Sequence, residues 1–146
     1  MMSAQPKERT LNILLVEDDE VDVMNVRRAF IKNKIDSSLH VAGNGLDALK
    51  ILRNEKKESI PENRRLIILD LNMPQMGGIE FLEAMRQDAK LRQVPVIVLT
   101  TSNQECDRVN AYRLNVAGYI LKPVNFKNFL DIIKTLNAYW KLCEMP

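Results

Sequence analysis

Residues 66–78 read LIILDLNMPQMGG, and this stretch decides the fold. Four consecutive apolar residues, Leu66, Ile67, Ile68 and Leu69, run without polar alternation, as in a strand buried on both faces of a parallel sheet. Asp70 follows directly. Its carboxylate is therefore expected at the carboxyl edge of the sheet, where open α/β folds bind ligands. Asn72, Pro74, Gly77 and Gly78 make the continuation a loop that turns around the acid. Considered alone, Asp70 is equally consistent with a solvated loop residue, and three further stretches bear on the choice.

The first is residues 13–16 (ILLV), a second doubly buried strand, which runs into Glu17, Asp18, Asp19, Glu20 and Asp22. Asp19 or a neighbour suits the cap of a helix beginning near Val21, where acids favour the positive helix end. Capping does not explain adjacent carboxylates at the strand exit, since these repel unless a cation relieves them. The second is residues 96–99 (VIVL), exiting into Thr100, Thr101 and Ser102, which are hydroxyl donors on the same edge or caps of a helix from about Gln104 to Asn115. The third is a short strand, residues 119–121, ending in Lys122 and Pro123.

Between these, helical spacing places Val23, Val26 and Phe30 on one face of a helix over residues 21–34, and a brief strand over 38–42 holds the sole histidine, His40, to which no chemistry is assigned. Residues 43–45 turn into a second helix with Leu46, Leu49 and Leu52 buried. Residues 53–65 form a charged loop containing Pro61, a third helix spans 79–88, and a final helix spans 126–143. Five strand and helix pairs imply a single doubly wound α/β domain of the flavodoxin-like type, (βα)5, with a five-stranded parallel sheet of order 2-1-3-4-5. That order brings the exits carrying Glu17, Asp18, Asp70, Thr100 and Lys122 to one crevice.

Composition sets the bounds. The 146 residues suit one domain with one core, with residues 1–10 as a flexible leader, 11–142 as the domain and 143–146 as a short tail. Hydrophobic residues at 46% and charged residues at 27% are ordinary for a globular chain, and 21 basic against 19 acidic residues announce neither nucleic-acid nor membrane binding. Cys106 and Cys143 have no metal-site spacing and read as free thiols. With no signal-like or membrane-spanning run, a cytoplasmic location is expected.

Clustered carboxylates call for a hard divalent cation, and Mg²⁺ accepts a few carboxylates, a carbonyl and retained waters. A lysine at the same edge would pair with Asp70 and with any anion placed on it, and Thr100 supplies a neutral donor. These are the parts of phosphoryl transfer to a carboxylate nucleophile. An aspartyl phosphatase would place a second acid two residues on, where this chain has Asn72, and no G-x-G-x-x-G or G-x-x-x-x-G-K follows any strand. A receiver-like adaptor that is never phosphorylated is compatible with the same spacing.

The VEDD pair, the LDLNMPQMGG segment, VLTTS and YILKPV, in this order over residues 11–142, resemble the receiver domains of two-component response regulators, in particular the single-domain type. The resemblance implies Asp70 as phosphoacceptor, Glu17, Asp18 and Asp70 as Mg²⁺ ligands with the Asn72 carbonyl, Thr100 and Tyr119 as a switch pair, and Lys122 as phosphate partner. It implies a histidine kinase as donor, a separate downstream protein, and no output domain in the chain. The charged insert, LTTS and the Tyr139-Trp140 ending look like regulators paired with cyanobacterial and bacterial phytochromes. Glu17 stands where many receivers have Asp, leaving direct and water-mediated ligation open, and Gly77 stands where many have another acid. Phosphorylation is expected to draw Thr100 toward Asp70 and let Tyr119 turn inward. On the final helix, Phe126, Phe129, Ile133, Leu136 and Trp140 form the stripe expected to face the sheet. Ile132, Tyr139 and Cys143 widen it, so self-association as a homodimer is expected unless residues 144–146 or the preceding helix shield that flank.

Overall fold

In the computed structural model, which describes residues 10–73 and 75–146, ten elements alternate along the chain. They are β1 (Asn12–Val16), α1 (Glu20–Lys32), β2 (Ser38–Ala42), α2 (Gly45–Leu52), β3 (Arg65–Leu69), α3 (Gly78–Gln87), β4 (Val96–Thr100), α4 (Glu105–Arg113), β5 (Gly118–Leu121) and α5 (Phe126–Leu142). The strands form one parallel sheet of order β2-β1-β3-β4-β5. The fold is thus the expected flavodoxin-like α/β domain. The leader, apart from Thr10, lies outside the described residues, as does Pro74.

The continuous apolar runs have a simple cause, because successive side chains of a strand point to opposite faces and both faces are covered. Leu14, Val16, Ile67, Leu69, Val96 and Val98 pack under α2, α3 and Ala111 of α4. Ile13, Leu15, Leu66, Ile68, Ile97 and Leu99 pack against Val26, Ala29 and Phe30 of α1 and Phe129 and Ile133 of α5. Asp19 caps α1, accepting from the amides of Val21 and Asp22, and Asn44 and Asn125 cap α2 and α5 in the same way. Lys34 and Asn115 take left-handed backbone, which stops α1 and α4 short of the expected ends.

The charged insert is less loose than its composition suggests. Residues 53–59 are exposed, but Ile60 is buried, and the buried Arg65 guanidinium donates to the carbonyls of Pro61, Ile60 and Leu52 at 2.8, 2.7 and 3.3 Å. Arg64 donates to the carbonyls of Cys143 and Trp140 at 3.0 and 3.2 Å, placing positive charge at the carboxyl end of α5, where the helix dipole favours it. Met145 packs against the α1/α5 core, whereas Tyr139 and Leu142 remain 58% and 78% exposed. Among the described residues no helix is long and apolar enough to cross a membrane.

Candidate functional site

Register builds the site. Val16 pairs with Leu69, so the residues that follow them, Glu17 and Asp70, emerge side by side, and the Asp70 amide donates to the Val16 carbonyl at 3.0 Å. On the other side Thr100 pairs with Leu121, and the Lys122 amide donates to the Thr100 carbonyl at 2.8 Å. Asp70 is 7% exposed, Glu17 3%, and Thr100 fully buried, while Asp18 is exposed. The Thr100 hydroxyl donates to Asp70 Oδ1 at 2.7 Å. Lys122 Nζ lies 2.5 Å from Glu17 Oε1, 2.8 Å from Asp22 Oδ2 and 3.8 Å from Asp70 Oδ2. The Asn72 amide leans toward Asp70 Oδ1 at 3.5 Å.

Electrostatically this edge is short of positive charge. Burial pushes the Glu17 carboxyl up to about 7; the charge of Asp70 adds to the rise, and the hydrogen bond and charge of Lys122 only partly offset it. For Lys122 burial favours the neutral amine, yet hydrogen bonds to Asp22 and Glu17 and the charge of Asp70 outweigh it and raise the ammonium above its usual value. One carboxylate oxygen each from Glu17, Asp18 and Asp70 lies within 4.8 Å of the others. Such a hard oxygen set, undercompensated by a single ammonium and open to water through Asp18, fits a divalent cation such as Mg²⁺.

Residues 13–134 match the response regulator receiver domain family. The chain belongs to this family. As a receiver domain it is 34% identical over 128 residues to response regulator Rcp1 of Synechocystis sp., a match covering 88% of this chain and 87% of Rcp1. The phosphorylated cyanobacterial phytochrome response regulator RcpA has a similar structure, with a TM-score of 0.84 at 32% identity over 94% of this chain and 99% of that one. The Mn²⁺-bound form of Rcp1 gives a TM-score of 0.80 at 33% identity, covering 92% and 97%.

Thr100 of this receiver domain does not need to be drawn to Asp70, because it is already bonded to it; a short side chain at the end of β4 has that carboxylate as its adjacent acceptor. Tyr119 is half-buried against the α2/α3 core, and its hydroxyl donates to the Ser102 carbonyl at 3.0 Å. Ser102 is tied further, and its hydroxyl oxygen also accepts from the Gln104 amide at 3.5 Å. Its amide donates to Thr100 Oγ1 at 3.2 Å, and its hydroxyl to Asp107 Oδ2 at 2.5 Å.

The structure therefore brings Glu17, Asp18, Asp70, Thr100 and Lys122 together and places Asn72 on the adjoining loop. Sequence reasoning missed Asp22, whose carboxylate was absorbed into a helix-start charge cluster, and the Ser102–Asp107 pair. The loop after Asp70 carries its left-handed backbone at Gln75 and Met76, with φ of 50° and 74°, not at its glycines. Gly78 is required for another reason: a Cβ there would sit 2.7 Å from Leu71 Cα and 2.8 Å from the Asp70 carbonyl oxygen.

Proposed function

We propose that Asp70 accepts a phosphoryl group from a partner histidine kinase in a Mg²⁺-dependent reaction. The observation that supports this most directly is a buried carboxylate held by a hydroxyl on one oxygen, with an ammonium 3.8 Å from the other, beside two further acids. An Asp70 oxygen attacks phosphorus, the bond from phosphorus to the donor nitrogen breaks, and an acyl phosphate forms without a separate base because the carboxylate is already ionised. Glu17, Asp18, Asp70 and the Asn72 carbonyl would hold Mg²⁺, which when bound supplies charge that screens the carboxylates and the incoming oxygens. Lys122 pairs with the new phosphate, and Thr100, whose hydroxyl then turns from the carboxylate to a phosphate oxygen, passes the change through Ser102 to Tyr119.

The likeness to the phytochrome response regulator RcpA supports a phytochrome as the kinase, with a separate downstream protein reading the phosphorylated surface. Acetyl phosphate with Mg²⁺ tests the chemistry. Wild type gains one phosphoryl mass, labile to hydroxylamine, while Asp70→Asn and wild type stripped of Mg²⁺ gain none. Equal labelling of wild type and Asp70→Asn by mass spectrometry overturns the assignment.

Self-association through the outer flank of α5 belongs to the same reading, supported by the exposed Tyr139 and Leu142 beside the half-buried Ile132. A charge at position 132 is repeated on both copies of a symmetric interface and repels itself. Sedimentation is expected to show a wild-type dimer that Ile132→Glu converts to monomer. A wild type that stays monomeric in the tens of micromolar range, phosphorylated or not, removes the dimer.

A further inference from the structure

Lys122 has three carboxylates within reach, and they are not equivalent. Glu17 and Asp70 belong to the acidic trio at the strand exits, but Asp22 stands outside it, in the first turn of α1. At 2.8 Å the Asp22 contact is a full ion pair, against 3.8 Å to Asp70. The two side chains share the wall of a cleft of about 170 Å³ between α1 and the β5–α5 loop, with Asn25, Arg28, Val124 and Phe126. A cation held by the trio would compete with Lys122 for Glu17, which leaves Asp22 as the ammonium's carboxylate partner outside the trio.

Resting on Asp70 being the phosphoacceptor, we infer that Asp22 is a positioning residue: a second berth that holds Lys122 back from Asp70 until an anion placed there outbids it. Placement sets up this competition, because the ammonium sits 2.8 Å from Asp22 but 3.8 Å from Asp70, and each further step toward a group on Asp70 lengthens the contact it now keeps with α1. Two consequences follow. Asp22 lowers the affinity of the site for a phosphoryl group, and phosphorylation breaks an ion pair that ties α1 to the β5–α5 loop, so the cleft between them reports the state of Asp70.

Beryllium fluoride, a phosphoryl mimic, tests the berth in the Mg²⁺-loaded full chain. Binding to Asp22→Asn is expected to be about three- to tenfold tighter than to wild type, the range for a partly exposed ion pair, and Asp22→Glu restores the wild-type value. In a Lys122→Met background the same Asp22→Asn change has no effect. A gain that survives in Lys122→Met marks simple charge repulsion and overturns the berth, as does unchanged or weaker binding to Asp22→Asn. A separate readout needs no variant. The side-chain carboxyl ¹³C resonance of Asp22 moves on adding beryllium fluoride to wild type if Lys122 leaves it, and an unmoved resonance overturns the inference. If wild type and Asp70→Asn bind the mimic alike, the phosphoacceptor reading fails with it. Binding that depends on Asp70 but ignores Asp22 removes the berth alone.

Discussion

The two ends of the sheet bury charge in opposite ways. At the carboxyl edge, Glu17, Asp70 and Lys122 are buried or nearly so, and one ammonium is shared among three carboxylates, those of Glu17, Asp22 and Asp70. At the amino edge the guanidinium of Arg65 is buried among neutral carbonyls, and Arg86 of α3 similarly donates to the carbonyls of Leu114, Asn115, Arg92 and Val94. Burial lowers the pKa of both arginines, but each fork is matched to fixed backbone acceptors. A cation surrounded by fixed acceptors can only hold a structure together. One that faces several carboxylates at once can change partners, as the proposed phosphorylation of Asp70 would require.

The largest effect is expected from breaking the structural end. Arg65→Ala leaves the carbonyls of Leu52, Ile60 and Pro61 without their donor and opens a void at the start of β3. Loss of charged hydrogen bonds of this kind costs about 3 to 5 kcal/mol, less than the sum of the individual bonds because the loop relaxes. Urea unfolding measures the loss. Asp70 lies about 16 Å away at the rise of a β-strand, so the folded fraction still takes up phosphate at the wild-type rate. A variant that is stable but slow to phosphorylate would show that the two ends are coupled.

Next comes the charge deficit at the other end. A Glu17 carboxyl at about 7 instead of its ordinary 4.5 means that the folded protein holds a proton the unfolded chain has released. With the sign worked out, folding stability falls as pH rises from about 4.5 to about 7 and then levels off, by at most about 3 kcal/mol. In metal-free buffer Glu17→Gln is therefore expected to match wild type below pH 4.5 and to exceed it by about 2 kcal/mol at pH 8, once the lost Lys122 contact is allowed for. Adding Mg²⁺ at pH 8 stabilises wild type more than the variant, and chemical denaturation across this pH range reads both effects. Identical pH profiles would mean that Lys122 neutralises Glu17 completely.

This contrast also explains what was legible in the chain. The sheet order and the strand-exit residues could be read because they depend on runs and registers, and an apolar run such as residues 66–69 constrains both faces at once. Asp70 and Lys122 inherit their positions from the strands they follow. Asp22, Ser102 and Asp107 owe their partners to rotamers one helical turn away, which no linear spacing specifies. Arg65 did carry a warning, since a guanidinium at the mouth of a buried strand must find acceptors, and the insert preceding it supplies them. Composition alone presented that insert as solvated loop.

The smallest effect probes the Ser102–Asp107 pair, the outermost link of the reactive edge. Ser102→Ala removes the hydroxyl bonded to Asp107 but leaves the backbone bonds from the Tyr119 hydroxyl and to Thr100 Oγ1 chemically possible. Because Asp107 is half-exposed and can turn to water, the loss is expected to be about 1 kcal/mol. Amide resonances over residues 102–107 should shift, since this hydroxyl is the side-chain tie between the loop and the first turn of α4, whose own cap position, Gln104, makes no side-chain capping bond. Labelling of Asp70 by acetyl phosphate should be unchanged, because Thr100 reaches the carboxylate independently. If labelling slows along with the shift, the hydroxyl of Ser102 orients Thr100, and the Asp107 contact belongs to the network that sets the reactivity of Asp70.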